Sequence, residues 1–145
     1  MKSTIVIALL LFSNAGYTQE WYTNLDTAKA RAISENKNIL LVFSGSDWNP
    51  SSIALEKEVW QSEEFKADVL THWVLLSADF PQKNPGSKPV NVQNDNMVLA
   101  EKYNRDGFFP WIVVLDKYGK VLGKTGYDTE MSVREYINHI KSFLR

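Results

Sequence analysis

Few residues in this chain can do chemistry, and their spacing excludes most of what they could do. A nucleophilic hydrolase needs a nucleophile, a base and an orienting acid. Here Ser51 or Ser52 would have to work with His72 or His139. His72 ends a predicted helix, His139 sits beside Ile140 on the last one, and no Gly-x-Ser-x-Gly surrounds either serine. Two distant histidines and no cysteine make a poor metal set, and Glu56, Glu58, Glu63 and Glu64 read as solvated helix faces. There is no phosphate-cradling glycine loop and no dinucleotide fingerprint. Asn49-Pro50-Ser51 is not a glycosylation sequon, because proline fills its middle position. No cofactor and no metal is expected. What remains is a pair of residues three apart, Asn49 and Ser52, and the place where they stand.

That place is a strand running through a tight loop into a helix. Ile39-Leu40-Leu41-Val42-Phe43 is uninterrupted apolar, as in a strand covered on both faces. Gly45 breaks the run. Asn49 then occupies a helix N-cap position and Pro50 the first helical position. The Asn oxygen can accept an orphan backbone N–H, and proline lacks the N–H that would be orphaned. The cap by itself accounts for both residues. A site at such a helix start favours negative charge, which Asn49 does not supply.

The segment Phe43-Ser44-Gly45-Ser46-Asp47-Trp48, followed by Ile53 and Leu55-Glu56-Lys57-Glu58-Val59, resembles the active-site segment of the thioredoxin superfamily. It is most similar to secreted bacterial thioredoxin-like proteins reading roughly F-S-G-S-D-W-C-x-x-C. The resemblance continues through Leu25–Lys37, through Val74-Leu75-Leu76-Ser77-Ala78-Asp79-Phe80-Pro81, and through Phe108-Phe109-Pro110-Trp111, where the family's cis-proline falls on Pro110. It covers about residues 21–145. It implies an α/β, thioredoxin-like fold, a central mixed sheet with helices on both faces. It also implies a loop at Pro110 that faces the helix start and contacts substrate chains. The departure is equally specific. The two cysteine positions read Asn49 and Ser52, and the whole chain has no cysteine. Thiol–disulfide exchange needs a thiolate attacking a disulfide sulfur, so the family's thiol-disulfide oxidoreductase activity is not carried over. The expectation is a non-enzymatic, redox-inactive binding module, with a peptide- or partner-docking groove of Trp48, Asn49, Pro50, Phe109 and Pro110. A strand-like peptide segment or an envelope protein is the expected partner. Against this, two of Phe108, Phe109 and Trp111 are expected in the core, since Trp111 opens a buried strand.

The remaining chain must position that site. Residues 1–18 read as a signal peptide: Lys2, the apolar run Ile5–Phe12, then small residues before a cleavage position. The run is too short to span a membrane. Export to the periplasm or medium is the expectation, with residues 19–145 as one thioredoxin-like domain and no stable membrane insertion afterwards. Roughly 127 residues then remain, one domain by length. Loss of Lys2 takes the net charge from −1 to −2, and no basic block is present, so nucleic acid is not an expected partner. A first helix is predicted over 25–36, capped by a Thr23/Asp26 box, with Leu25, Ala28, Ala32 and Ile33 on its inner face. Ser52, Leu55 and Val59 share one face of the second helix, with Ile53 and Trp60 beside it. Ser62 caps a third helix carrying Phe65 and Val69. A strand is predicted over 73–80, a surface loop over 81–93, and a helix over 95–104 marked by Met97, Ala100 and Tyr103. Residues 112–115 and 120–124 form a hairpin about Asp116-Lys117-Tyr118-Gly119. The last helix opens with a Ser132/Glu135 capping box and carries a stripe from Val133 to Leu144.

Overall fold

The computed structural model describes residues 19–144. The signal peptide expected over residues 1–18 lies outside the described residues. Five strands form one mixed sheet: β1 (Trp21–Tyr22), β2 (Asn38–Ser44), β3 (Trp73–Asp79), β4 (Trp111–Leu115) and β5 (Val121–Thr125), in the order β1-β3-β2-β4-β5. β2 lies at the centre. It runs parallel to β3 from Asn38↔Trp73 to Ser44↔Asp79, and antiparallel to β4 from Ile39↔Leu115 to Phe43↔Trp111. β4 and β5 close the sheet as the expected hairpin. Asp116 accepts backbone N–H groups from Tyr118 and Lys120 at 2.9 Å each, and Gly119 adopts the left-handed φ of 88° that this turn requires.

Among the described residues, α-helices cover the sheet: α1 (Leu25–Glu35), α2 (Pro50–Leu55), α3 (Glu63–His72), α4 (Val90–Tyr103) and α5 (Val133–Lys141). The apolar run of β2 is explained by what its alternate residues meet. Leu40 and Val42 join Leu55, Val59, Phe65, Tyr136 and Ile140 under α2, α3 and α5. Ile39, Leu41 and Phe43 join Ala28, Ala32, Leu99 and Tyr103 under α1 and α4. A strand with helices on both faces has no polar side, so it carries no alternation.

The caps at Asn49, Ser62 and Ser132 form as the sequence predicts, the last with its full capping box. Other expectations are corrected. The cap of α1 is Asn24, whose side chain accepts from Thr27 N at 3.0 Å, rather than Thr23. Ile33 is half exposed, because only the small Ala28 and Ala32 fit against the sheet there. α4 begins at Val90, five residues early, after a short 3₁₀ turn over Pro85–Ser87. Pro89 disfavours the helical region for Lys88 but leaves the residues after it free, so the helix can start behind it. The inner face of α4 is Asn96, Leu99 and Tyr103, while Met97 points to solvent. α2 passes into a π-helical turn over Glu56–Trp60. The wider turn rotates Trp60 into the core while Ile53, seven residues earlier, stays exposed; an unbroken α-helix would have aligned them. The two-residue β1 has no sequence signal of its own; it pairs with Leu75 and Leu76, and among the described residues no strand borders the outer edge of β3 from Ser77 onward.

Candidate functional site

The site is built at the C-terminal ends of β2 and β3, where open α/β sheets place their ligands. Residues 44–49 cross this end and deliver the chain to α2. Asn49 accepts from Ser52 N at 2.8 Å, which fixes the first turn of the helix. Ser52 is buried, and its Oγ accepts from Gly45 N at 3.1 Å. The two positions that match the family's cysteines are therefore both engaged in holding the loop. Neither carries a charge or a thiol, and no thiolate can form anywhere in a chain without cysteine.

Trp48 turns back over Gly45. Its indole N–H donates to the carbonyl of Phe80 at 2.8 Å, and its ring meets Phe109 edge-on with centroids 5.7 Å apart. Phe80 packs on the other side of Phe109, at 5.6 Å. The helix start and the Pro110 loop are thus in contact through Trp48 and Phe109. The Phe109–Pro110 peptide is cis. Pro110 is buried, Phe109, Trp48 and Asn49 are half-buried, and Pro50 is exposed. Two of the three aromatics of this loop, Phe109 and Trp111, are half-buried and pack against the core on the α1/α4 side, while Phe108 is exposed. Phe108 and Trp111 meet at a tilt of 45° with ring centroids 5.1 Å apart. Asn104 holds the loop from behind, accepting from Phe108 N at 3.0 Å and donating to Phe108 O at 2.9 Å. The backbone N–H and C=O of Phe109 itself have no partner among the described residues.

Two aspartates that sequence reasoning leaves aside brace the same loop. The Asp79 carboxylate, at the end of β3, accepts from Ser44 Oγ (3.1 Å), Ser46 N (3.0 Å) and Ser46 Oγ (2.6 Å), with Lys88 Nζ at 3.7 Å. Asp47 reaches the opposite way and accepts the backbone N–H groups of Gln82, Lys83 and Asn84 at 2.9, 3.0 and 3.2 Å. Those hydrogen bonds, Gln82's first, hold its carboxyl below the ordinary carboxylate value. Asn96 on α4 supports β3 by donating to Asp79 O at 2.9 Å. The one available signal for Asp79 was its position at the end of a parallel strand.

A cavity of about 520 Å³ opens beside α2 and its π turn, on the other face of the sheet from Phe109, and shares Ser44, Ser46, Ser52 and Asp79 with this loop. It is lined by Ser44, Ser77 and Asp79 of the strands, by Ser52 of α2, and by Trp21 and Trp60. His72 and His139 play no part in either place. His72 lies 3.7 Å from Asp68, and His139 Nε2 is paired with Thr125 Oγ1 at 3.0 Å. Among the described residues, no three His, Cys, Asp or Glu side chains are grouped as around a metal ion. No helix of the described residues is long and apolar enough to cross a membrane.

Known proteins agree with this geometry. The sequence profile of the family described as Thioredoxin-like matches residues 20–117. The chain is 34% identical over 111 residues to a protein of Chlamydia pneumoniae named disulfide bond reductase DsbH, covering 77% of this chain and 64% of that one. It is 25% identical to the thioredoxin-related protein DsbJ of the same organism over 97% of its own length but 43% of the relative's. The chain thus spans about two thirds and under half of these two relatives. A solved DsbH oxidoreductase matches with a TM-score of 0.76 and 29% identity, over 99% of this chain and 94% of that one. A thioredoxin from Thermus thermophilus shares the fold at a TM-score of 0.63 and 16% identity, with 88% of each chain covered. The profile match, taken with the sheet order and the contact between the α2 start and the Pro110 loop, shows that this chain belongs to the Thioredoxin-like family.

Proposed function

We propose that this chain is an exported, redox-inactive member of its family that binds extended peptide segments, carried by an envelope protein, in the groove of Trp48, Asn49, Pro50, Phe109 and Pro110. The observation that carries the reading is the free backbone N–H and C=O of Phe109 beside the half-buried rings of Trp48 and Phe109. An unpaired backbone gives an extended peptide hydrogen bonds, and flanking aromatics give it apolar contact. Two relatives are named as a reductase and an oxidoreductase. That chemistry does not come with the fold, because asparagine and serine at 49 and 52 supply no sulfur to attack or be attacked.

The test is titration of extended, unstructured peptides against the protein, followed by tryptophan emission. A saturable change, lost in Trp48→Ala, is the expected result; no saturable change with any peptide overturns the docking reading. Separately, insulin reduction by dithiothreitol should run no faster with the protein than without it. Measurable turnover would overturn the redox-inactive reading.

A further inference from the structure

We propose that the cavity under α2 is a second binding site, for a neutral polyhydroxylated ligand of mono- or disaccharide size. Its volume of about 520 Å³ falls in the range of small-molecule sites, roughly 300–1,000 Å³. None of the groove residues Trp48, Phe109 or Pro110 lines it. Phe109 of the groove packs with the α1/α4 face, whereas Val42, Leu55 and Trp60 of the cavity belong to the α2/α5 face. The inference therefore does not rest on the peptide-binding reading.

The polar inventory selects the ligand. Glu56 and Asp79 are balanced by Lys57 and Lys88 along the same walls, so the cavity has no net charge to attract an ion. Asp79 already accepts from Ser44 and Ser46 and faces Lys88. Ser77, part-exposed, adds a hydroxyl to the lining. Ser52 Oγ accepts from Gly45 N, and its proton has no acceptor among the described residues. The idle groups are thus hydroxyls and ammonium N–H groups beside carboxylates, donors and acceptors interleaved. A ligand hydroxyl donates and accepts at one atom and so meets both kinds. A free carboxylate would face Glu56 and Asp79, and a free amine would face Lys57 and Lys88. Trp21 lines one wall, half-buried and held edge-on against Trp60 at 6.2 Å. The negative face of an indole attracts the weakly positive C–H face of a sugar ring. Among the described residues no strand borders β3 beyond Leu76, since β1 ends at Tyr22, and access comes from that edge.

Glucose, N-acetylglucosamine and maltose would each be titrated against the full chain and followed by NMR of the tryptophan indole N–H signals. The expected result is a saturable shift at Trp21 with at least one of the three, Trp48 unmoved. Ser77→Val or Lys88→Met should each weaken that binding about tenfold, the loss of one hydrogen bond to a ligand. Both residues are partly exposed, so the variants should fold. Trp48→Ala should leave it unchanged, so loss of peptide binding and loss of sugar binding are separable. No saturable shift up to about 50 mM, roughly fifty times a 1 mM dissociation constant, would overturn the proposal. So would shifts confined to Trp48, or equal binding of butyrate or glycine.

Discussion

The fold of Trp48 over Gly45 predicts a change of sign in the effect of one mutation. A Cβ placed on Gly45 would lie 2.6 Å from the indole Nε1 and 2.7 Å from Cζ2 of Trp48, closer than real contacts allow. The backbone of Gly45 is not in the left-handed region, so alanine itself is not strained there. Gly45→Ala must therefore push the indole away. That breaks the bond to Phe80 O, about 0.5–1.5 kcal/mol, and the edge contact with Phe109, about 0.5–1.5 kcal/mol. Against this stands the lower entropy of the unfolded alanine chain, worth about 0.4–1 kcal/mol. The net cost is about 0–2.6 kcal/mol, centred near 1.3 kcal/mol, or a fall in melting temperature of about 5 °C for a domain of this size. In a Trp48→Ala background the obstacle is gone and only the entropy gain remains. Gly45→Ala should then stabilise, by about 0.4–1 kcal/mol. Urea unfolding of the four proteins of this cycle reads both numbers and their coupling. An equal cost of Gly45→Ala in both backgrounds would refute the placement of the indole and, with it, the geometry of the groove.

Three further outcomes are expected. Asn49→Cys combined with Ser52→Cys should let the loop form an internal disulfide, seen as the loss of two hydrogens by mass spectrometry on oxidation, and should confer some insulin reduction. Failure to oxidise under air and copper would mean that α2 does not present these positions as its relatives do. The Asp47 carboxyl is depressed by the N–H groups of Gln82, Asn84 and Lys83, so its contribution is complete above the ordinary value of 3.8 and is lost as pH falls through the lower folded value. Melting temperatures taken from about pH 5 to about pH 2 should drop more steeply for the native chain than for Asp47→Asn; parallel curves would argue that the clamp on residues 82–84 is not formed. Tyr127 is pushed up to about 12, by burial first and then by its hydrogen bond to Glu58. Its contribution is complete below 10.0 and is lost as pH rises through about 12. Tyr127→Phe should remove that alkaline loss, and an unchanged alkaline limb would count against the bond.

How much was legible in advance follows from how far each interaction reaches along the chain. The three caps at Asn49, Ser62 and Ser132 are contacts between residues three apart, so local sequence contains both partners. The two-faced burial of β2 is visible in a run of five apolar residues, and the absence of a thiol is visible in composition. The misreadings are of another kind. α1 is capped by Asn24 because the cap depends on where the chain leaves β1, and β1 exists because Trp21 and Tyr22 lie beside Leu75 and Leu76. Trp60 is buried and Ile53 exposed because a π turn changes the phase between them.

The sequence alone determined the class of fold, the helix start at Asn49-Pro50 and the chemistry this start does not have. Tertiary structure decided what the place became. Trp48 reaches Phe80, Asp79 reaches Ser46, and Asp47 reaches residues 82–84, across 32 to 37 positions of chain. Such pairs meet only because β2 and β3 run side by side in register, bringing their C-terminal ends to one edge. A side chain's local neighbours write its backbone conformation, but a site is made where strands distant in sequence end together, and that is a property of the sheet.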